Sequence, residues 1–368
     1  LAFNEEIEEK TQDARFLFPV LIAQFAETVV DLEQLSQNDT PGALSRAIDD
    51  FNAAPGATTA QSVVDASNDL DSALAGLADE DVFADVFFGT SVSEPGKLGG
   101  AGFFMGLRLI AGGQANITET DRAVLTAYQE GLLFVASNGA QGVAHPELFD
   151  ANGALVDPNN DFDSSATAAG LAIAEAGVGI SRQFQFFGGP LAAGVSFKVQ
   201  RIRTFEDAQR VVDNRLNTDS NRESEGNVNF DLGLAKAFGK HWRAGLAVKD
   251  VIPRNYATSQ DSVVRLRPRA RLGVAYQRAN LQIALDGDLT RNEPIGGQRP
   301  TQEIAVGAEW TLASLASLRA GYRFDAQSNR DDVLSVGAGT VWKRLAIDLA
   351  YAQGNDTRSA ALQFGVVF

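Results

Sequence analysis

Segments in which apolar and small or polar residues alternate one by one recur along most of this sequence. That recurrence constrains the fold more than any other property. The last segment is the clearest. Ala360, Leu362, Phe364, Val366 and Phe368 share one face, and Ser359, Ala361, Gln363, Gly365 and Val367 share the other. A period of two is a β-strand whose two faces meet different surroundings. About 9–11 residues of this kind cross a membrane when the strand is tilted. A strand that closes on an aromatic points to an outer-membrane β-barrel, provided the rest of the chain repeats it.

The rest does repeat it. Leu345, Ile347, Leu349 and Tyr351 alternate with Ala346, Asp348 and Ala350. Leu318, Ala320, Tyr322 and Phe324 alternate with Arg319, Gly321 and Arg323, and Ile304, Val306, Ala308 and Trp310 with Glu303, Ala305, Gly307 and Glu309. Similar runs lie at 191–200, 230–235, 242–249, 271–276, 281–286 and 334–339, with another near Ala176–Phe184. The connections alternate in length. Short ones fall near Gly188–Pro190, Gly239–His241, Gln277–Asn280, Leu312–Ser317 and Trp342–Arg344. Long ones fall near Thr204–Gly226, Val251–Ser262, Thr290–Pro300, Asp325–Asp331 and Ala352–Arg358. Transmembrane barrels have short periplasmic turns and longer extracellular loops. With Phe368 placed in the periplasm, the lengths agree for five successive hairpins. A soluble β-sandwich or barrel is the competing reading, and it has no reason to alternate in this way.

The N-terminal part differs. Phe16–Phe25 reads as a strand despite Pro19, which suits an irregular or edge position. A helical insertion over 28–80 follows. Thr40 and Pro41 open a helix whose Leu44, Ile48 and Phe51 share a face, and Thr59–Leu77 forms a second with Val63, Leu70, Leu74 and Leu77 on one side. This hairpin is expected to cover the mouth, plug it, contact a partner, or simply pack as an inert loop domain. Strands resume at Val82–Val92 and Gly99–Ile110. A short helix is expected at Asp121–Glu130, a strand at Gly131–Ser137, and loop up to Asp163. The expectation is an all-β fold: one antiparallel transmembrane β-barrel over 1–368, of about 14 strands, with the helical insertion near its N-terminus.

Composition sets limits. No run of roughly 18 apolar residues occurs, so a transmembrane helix is not expected. The absence of cysteine rules out disulfides, zinc thiolates and thiol redox chemistry. A net charge of −16 argues against nucleic acid as a partner. The opening LAFNEEIEEK carries no Met, basic region or apolar core, so a missing signal peptide says nothing about compartment.

The faces opposite the apolar ones carry mixed charges: Lys198, Asp231, Arg243, Lys249, Arg269, Arg271, Asp286, Asp288, Glu303, Glu309, Arg319, Arg323 and Asp348. In a dry core every one would need a partner, whereas a wet lumen removes that cost. They form either a pairing network that stiffens the barrel or a selectivity lining for a solute path. Glu309 and Arg319 flank a short hairpin and are expected to sit opposite one another. Aromatics near strand ends (Trp242, Tyr276, Trp310, Phe324, Tyr351 and Phe368) suit the interfacial girdles of a membrane, although an ordinary core also uses aromatics.

Catalysis is not expected. His145 lies in a loop and His241 in a turn, neither in triad spacing with a nucleophile and a carboxylate. Asp157–Asp163 (DPNNDFD) spaces oxygen ligands as calcium loops do, but Phe162 stands where such a loop needs Gly and Ala168 where it needs Glu. It reads as a solvated acidic loop. No metal or cofactor is expected.

The stretches NFDLGLAKAFGKHWRAGLAVKDVIPRNY (Asn229–Tyr256), RPRARLGVAYQ, ALDGDLTRNEPIGG (Ala284–Gly297) and LRAGYRFD (Leu318–Asp325) resemble the TraF-like outer-membrane family known as conjugal transfer proteins. That family is itself similar to the FadL-type fatty-acid porins. The resemblance is strongest over Ala174–Phe368, and the helical insertion also matches the family's layout. It implies a Gram-negative outer membrane, with outer-membrane lipid and the barrel assembly machinery as partners, the latter through the C-terminal strand. It also implies passage or capture of a small, hydrophobic solute, or a scaffold role beside a conjugation apparatus. Family members usually begin with a glycine-rich segment ending in Asn-Pro-Ala. This sequence contains none, so a first strand or hatch is expected to be missing. The thiol-oxidoreductase fold that shares the TraF name does not apply to a chain without cysteine.

Overall fold

The computed structural model describes residues 15–26, 38–78, 81–96, 99–187, 189–210, 223–258, 263–295, 298–312 and 316–367. Fourteen antiparallel strands close into a barrel, and two further strands form a separate hairpin. The strands are β1 (Arg15–Ala26), β2 (Asp81–Pro95), β3 (Gly99–Asn116), β4 (Ser165–Gln185), β5 (Pro190–Arg210), β6 (Glu223–Phe238), β7 (Trp242–Lys249), β8 (Arg254–Ala257), β9 (Val263–Leu266), β10 (Arg269–Arg278), β11 (Leu281–Asp288), β12 (Glu303–Leu312), β13 (Ala316–Asp325), β14 (Val333–Trp342), β15 (Leu345–Gln353) and β16 (Thr357–Val367). Each barrel strand pairs with the next, β7 pairs with β10, and β16 closes on β1. The helices are α1 (Thr40–Ala53), α2 (Ala57–Leu77) and α3 (Glu119–Ala136). Phe368 lies outside the described residues.

Short turns make up one end of the barrel, the turn end, and the long connections lie at the other, the loop end; the exception is β15–β16, expected to be long, which turns at the loop end in three residues, 354–356, because both strands run on into the expected loop. Alternation places the apolar faces outwards. Val178, Ile180, Phe197, Val199, Val228, Leu285, Leu334, Val336 and Leu349 are each more than half exposed. A water-facing surface does not carry so continuous a ring of large apolar side chains. It is the lipid face of a transmembrane barrel, whose strands pair around a closed sheet.

Pro19 breaks the regularity. The register of β1 shifts between Leu17 and Val20 against both neighbours, β2 and β16. Proline offers no N–H to a ladder. The Thr90 hydroxyl donates to the Leu17 carbonyl (2.7 Å) at this irregularity.

The wall is uneven in height. β4 and β5 run for 21 residues each, β7 and β11 for 8. β3, β4 and β5 extend well past the alternating segments visible in the sequence. Their extensions, such as ATAAG in β4, are small on both faces and so carry no hydropathy contrast.

The helices pack into their own core. Leu44, Ile48 and Phe51 of α1, Val63, Leu70, Leu74 and Leu77 of α2, and Leu125, Tyr128 and Leu132 of α3 are buried together, with Ala115 and Ala166 at the loop ends of β3 and β4 joining them. α3 absorbs Gly131–Ala136, which was expected as a strand. Leu125, Tyr128 and Leu132 are spaced for one helical face, and a short apolar run such as GLLFVA suits either structure until its neighbours choose. Thr118 caps this helix by accepting from the Asp121 N–H (3.2 Å). The buried Asp121 carboxylate then accepts from the N–H groups of Asp163 and Ser164 (3.2 and 2.6 Å). The acidic stretch Asp157–Asp163 is more than a solvated loop. Phe162 is buried, Ser45 donates to Asp157 Oδ2 (2.5 Å), and Asn159 donates to the Pro41 carbonyl (2.8 Å), so the segment is fastened to α1.

Candidate functional site in the barrel lumen

The inward faces divide the lumen into three levels. Nearest the turn end, β5 to β7, β10 and β11 contribute mostly alanine and glycine, and β4 adds Ser181. Ala192, Gly194, Gly233, Gly245, Ala247 and Ala284 are among the walls of a cavity of about 570 Å³, into which Arg243, Arg271 and Asp286 bring charge. Arg243 donates to Gln277 Oε1 (3.2 Å). Asp286 stands opposite Gly273 across β10 and β11, and only a residue without Cβ leaves it room, since a Cβ there would lie 2.2 Å from Asp286 Oδ1.

The middle level is ionic. Lys198 Nζ meets Asp250 (2.8 Å), Asp231 (2.9 Å) and Glu175 (3.4 Å), and its side chain is only 3% exposed. Gln200 bridges Glu175 and Asp250. Arg269 lies 3.9 Å from Asp250 and directly opposite Lys249 across β7 and β10. Arg108 grips Asp85 with two nitrogens (2.9 and 2.6 Å), the two-pronged geometry that suits guanidinium and carboxylate. A second group joins Arg271 to Asp288 (2.7 Å) and Glu303 (3.4 Å), with Arg323 (3.4 Å) and Arg330 (3.8 Å) also on Glu303. A third, closer to the turn end, places Arg319 between Glu309 and Asp348 (2.6 Å each). Glu309 and Arg319 are cross-strand partners in β12 and β13.

The third level is the hairpin β8–β9. It rises from the low rim between β7 and β10 and leans onto the tall wall. Tyr256 and Val264 are buried against Leu171, Ile173 and Ile202, which point inwards from β4 and β5. Thr204 donates to the Ala257 carbonyl (3.0 Å), and Asn227 hydrogen-bonds the Tyr256 hydroxyl. Asn229 and Ile252 exchange two bonds (3.1 and 2.9 Å). Ile295, from the β11–β12 connection, also packs on this cluster. The element that reaches into the lumen is therefore a hairpin whose two strands have four residues each.

Sequence reasoning named Lys198, Asp231, Arg269, Arg271, Asp288, Glu303, Glu309, Arg319, Arg323 and Asp348, and the structure brings these into the three ionic groups. It did not name Asp85, Arg108, Glu175, Asp250 or Arg330. Arg108 and Glu175 sat on the small face of alternating strands and could have been read there. Asp250 and Arg330 lie beyond strand ends, where no alternation marks a face. Trp242, Tyr276 and Trp310 collect at the turn end, where the Trp242 and Tyr276 rings lie 5.0 Å apart, and Phe324 and Tyr351 lie towards the loop end. Phe186, Phe187, Phe238 and Trp342 join the turn-end group, and Lys236 donates to the carbonyls of Phe186 and Phe187 (3.1 and 3.2 Å). His241 Nδ1 sits 2.9 Å from the Gln277 carbonyl. His145 lies between Glu147 (2.8 Å) and Glu130 (3.1 Å), outside the barrel.

In overall shape the chain is similar to the TodX deltaS2S3 mutant, a monoaromatic hydrocarbon channel, with a TM-score of 0.44, 9% identity, and coverage of 98% of this chain and 90% of that one. It is also similar to a Rhodopseudomonas blastica porin triple mutant, with a TM-score of 0.31, 9% identity, and coverage of 97% and 99%. No curated protein matches it. The family model described as "F plasmid transfer operon, TraF, protein" matches residues 2–288, well over half of the sequence, and the chain belongs to that family.

Proposed function

We propose that this barrel lies in a Gram-negative outer membrane with its turn end in the periplasm, and that it admits or captures small solutes with apolar bodies. The observation that carries this reading is the cavity at the turn end. Inward alanine and glycine on five strands hold about 570 Å³ open, a volume within the range of small-molecule sites. A barrel that served only as a wall would gain packing by filling that space. The inward charges serve as its polar lining, and the end-on aromatics serve as interfacial anchors. β16 is the strand we assign to the barrel assembly machinery. In liposome-swelling assays the wild type is expected to pass small solutes, and Ala247→Trp, which fills the cavity, is expected to slow them. Equal and negligible swelling by both would remove this reading.

The second reading is a non-transporting scaffold beside a conjugation apparatus. It is favoured by the family's description and by the buried-core helical bundle at the loop end, which leaves Leu133, Phe134 and Val143 exposed. Co-purification with envelope secretion components, together with a mating defect on deletion, would favour it over transport.

A further inference from the structure

β4 is narrow on its lipid face. Its outward residues Ala172, Ala174 and Ala176 form a floor between two ridges. On the β3 side the register sets Leu109, Leu107 and Met105 beside them. On the β5 side it sets Arg203, Arg201 and Val199. Around Ala174 and Ala176 lies an apolar groove of about 520 Å³ on the outside of the barrel, walled by Met105 and Leu107 on one side and Val199 and Arg201 on the other, and reaching Phe18 and Phe88 of β1 and β2. Arg201 lines it and Arg203 lies two residues further along β5, on the same face; both are exposed.

Among the described residues, neither arginine has an acidic neighbour on its face. Across β6 they meet Gly226 and Ser224, and across β4 Ala174 and Ala172. Arg201 donates to the neutral Ser224 Oγ (3.1 Å), and Arg203 makes no ion pair or hydrogen bond among the described residues. Glu225 shares a rung with the inward-facing Ile202 and so points to the other side of the wall. The next outward acid along β5, Asp207, is buried and accepts from Gln209 (3.1 Å). In a chain of net charge −16, two neighbouring cations with no counter-charge among the described residues are an unusual concentration.

Their height is informative. At the turn end Lys236, held among Phe186 and Phe238, shares a rung with Leu191. Ten strand steps from Leu191 to Arg201, at about 3.3 Å each and a tilt of about 40°, rise about 25 Å, the height of the apolar band of such barrels. Arg201 therefore stands at the far edge of the hydrocarbon, and Arg203 just beyond it.

We propose that this groove binds a phosphate-bearing lipid of the outer leaflet, with an acyl chain on the alanine floor and the phosphate on Arg201 and Arg203. Guanidinium groups match phosphate in charge and in two-pronged geometry. Large apolar ridges beside a small-residue floor match a chain. This assignment rests on the orientation in which the loop end faces outwards.

The test places the full-length protein in zwitterionic phosphatidylcholine nanodiscs, titrates in lipid A, and reads bound lipid by native mass spectrometry. Wild type is expected to bind it, and R201Q/R203Q to bind about 30-fold more weakly, at the attraction typical of two cations at a membrane surface. R201K/R203K keeps most of the binding. A174F fills the slot with both arginines intact and is also expected to lose binding, with A174L replacing it if A174F does not migrate as a folded barrel. Equal binding by wild type and R201Q/R203Q overturns the proposal. Loss in R201Q/R203Q with none in A174F, or full displacement by inorganic phosphate, overturns the lipid in favour of a free anion. Orientation is read separately, from labelling of a cysteine at Asn355 on intact cells. No labelling there overturns the outward loop end, and the outer-leaflet assignment with it, whatever the nanodiscs show.

Discussion

Lys198 is one cation among three carboxylates, with almost no access to solvent. Its removal strands Asp231, Asp250 and Glu175 beside one another, and a buried ionic group broken from one side typically costs about 3–5 kcal/mol. Lys198→Met is expected to lower the unfolding free energy read from urea titration by an amount on that scale. Arg319→Gln is the control, since that side chain is 40% exposed and an open pair contributes about 0–1 kcal/mol. Similar losses in the two variants would mean that water reaches Lys198 freely. His145 carries a different residue-scale effect. Its hydrogen bonds to Glu147 and then Glu130 favour the imidazolium and raise its pKa. The folded value lies above the unfolded one, so the contribution is fully present below about pH 6.5 and is lost as pH rises through the raised folded value. Glu147, held by its own N–H and by His145, titrates below its ordinary value, so its share is lost only as pH falls through that depressed value. Hydrogen exchange at the C-terminal turn of α3, corrected for intrinsic rates, is expected to be slower at about pH 5.5 than at about pH 8.5. His145→Gln should abolish the difference, and its persistence would assign the pH dependence elsewhere.

Among the elements, β8–β9 decides how the loop end of the lumen is closed, and it was the least legible. Four-residue strands carry two alternations at most, and VIPRNYATSQDSVVRLRP reads equally well as loop. Its identity depends on Leu171, Ile173 and Ile202, far away in sequence, which supply the apolar surface that Tyr256 and Val264 cover. Inward leucine and isoleucine in an otherwise polar lumen were the available signal, since such residues need something to lie on them. The helices were easier because each carries its own 3.6-residue stripe. The hairpin's removal tests its role as a closure. Replacing 251–268 by a short Gly-Ser linker between β7 and β10 is expected to leave a heat-modifiable barrel, since the two strands already pair directly. Liposome swelling should then be faster than for wild type. A folded variant that swells no faster would show that the narrowest point lies in the ionic level instead.

For the whole molecule, period two and the short-long order of most connections were enough to read the architecture, because both follow from a closed sheet between two aqueous sides; the three-residue β15–β16 turn is the one place where the expected order fails. Wall height and ion-pair partners were not readable, because they depend on which strands stand adjacent around the ring. The same geometry yields a depth-resolved prediction on β16. Leu362 is outward at mid-strand, flanked by Leu349 and Leu21. Phe364 is outward and nearer the turn end, beside Ile347. Gln363 lies between them in sequence but faces the lumen, beside Asp348. An arginine at mid-membrane on the lipid face costs about 2–4 kcal/mol and progressively less towards either interface. At Gln363 the same arginine enters water and finds a carboxylate. The folded fraction on unheated gels is therefore expected to fall most for Leu362→Arg, less for Phe364→Arg and little for Gln363→Arg. Since one residue of register slip exchanges the two faces of a strand, a larger loss at Gln363 than at its neighbours would mean that β16 is paired one residue out of the register described here.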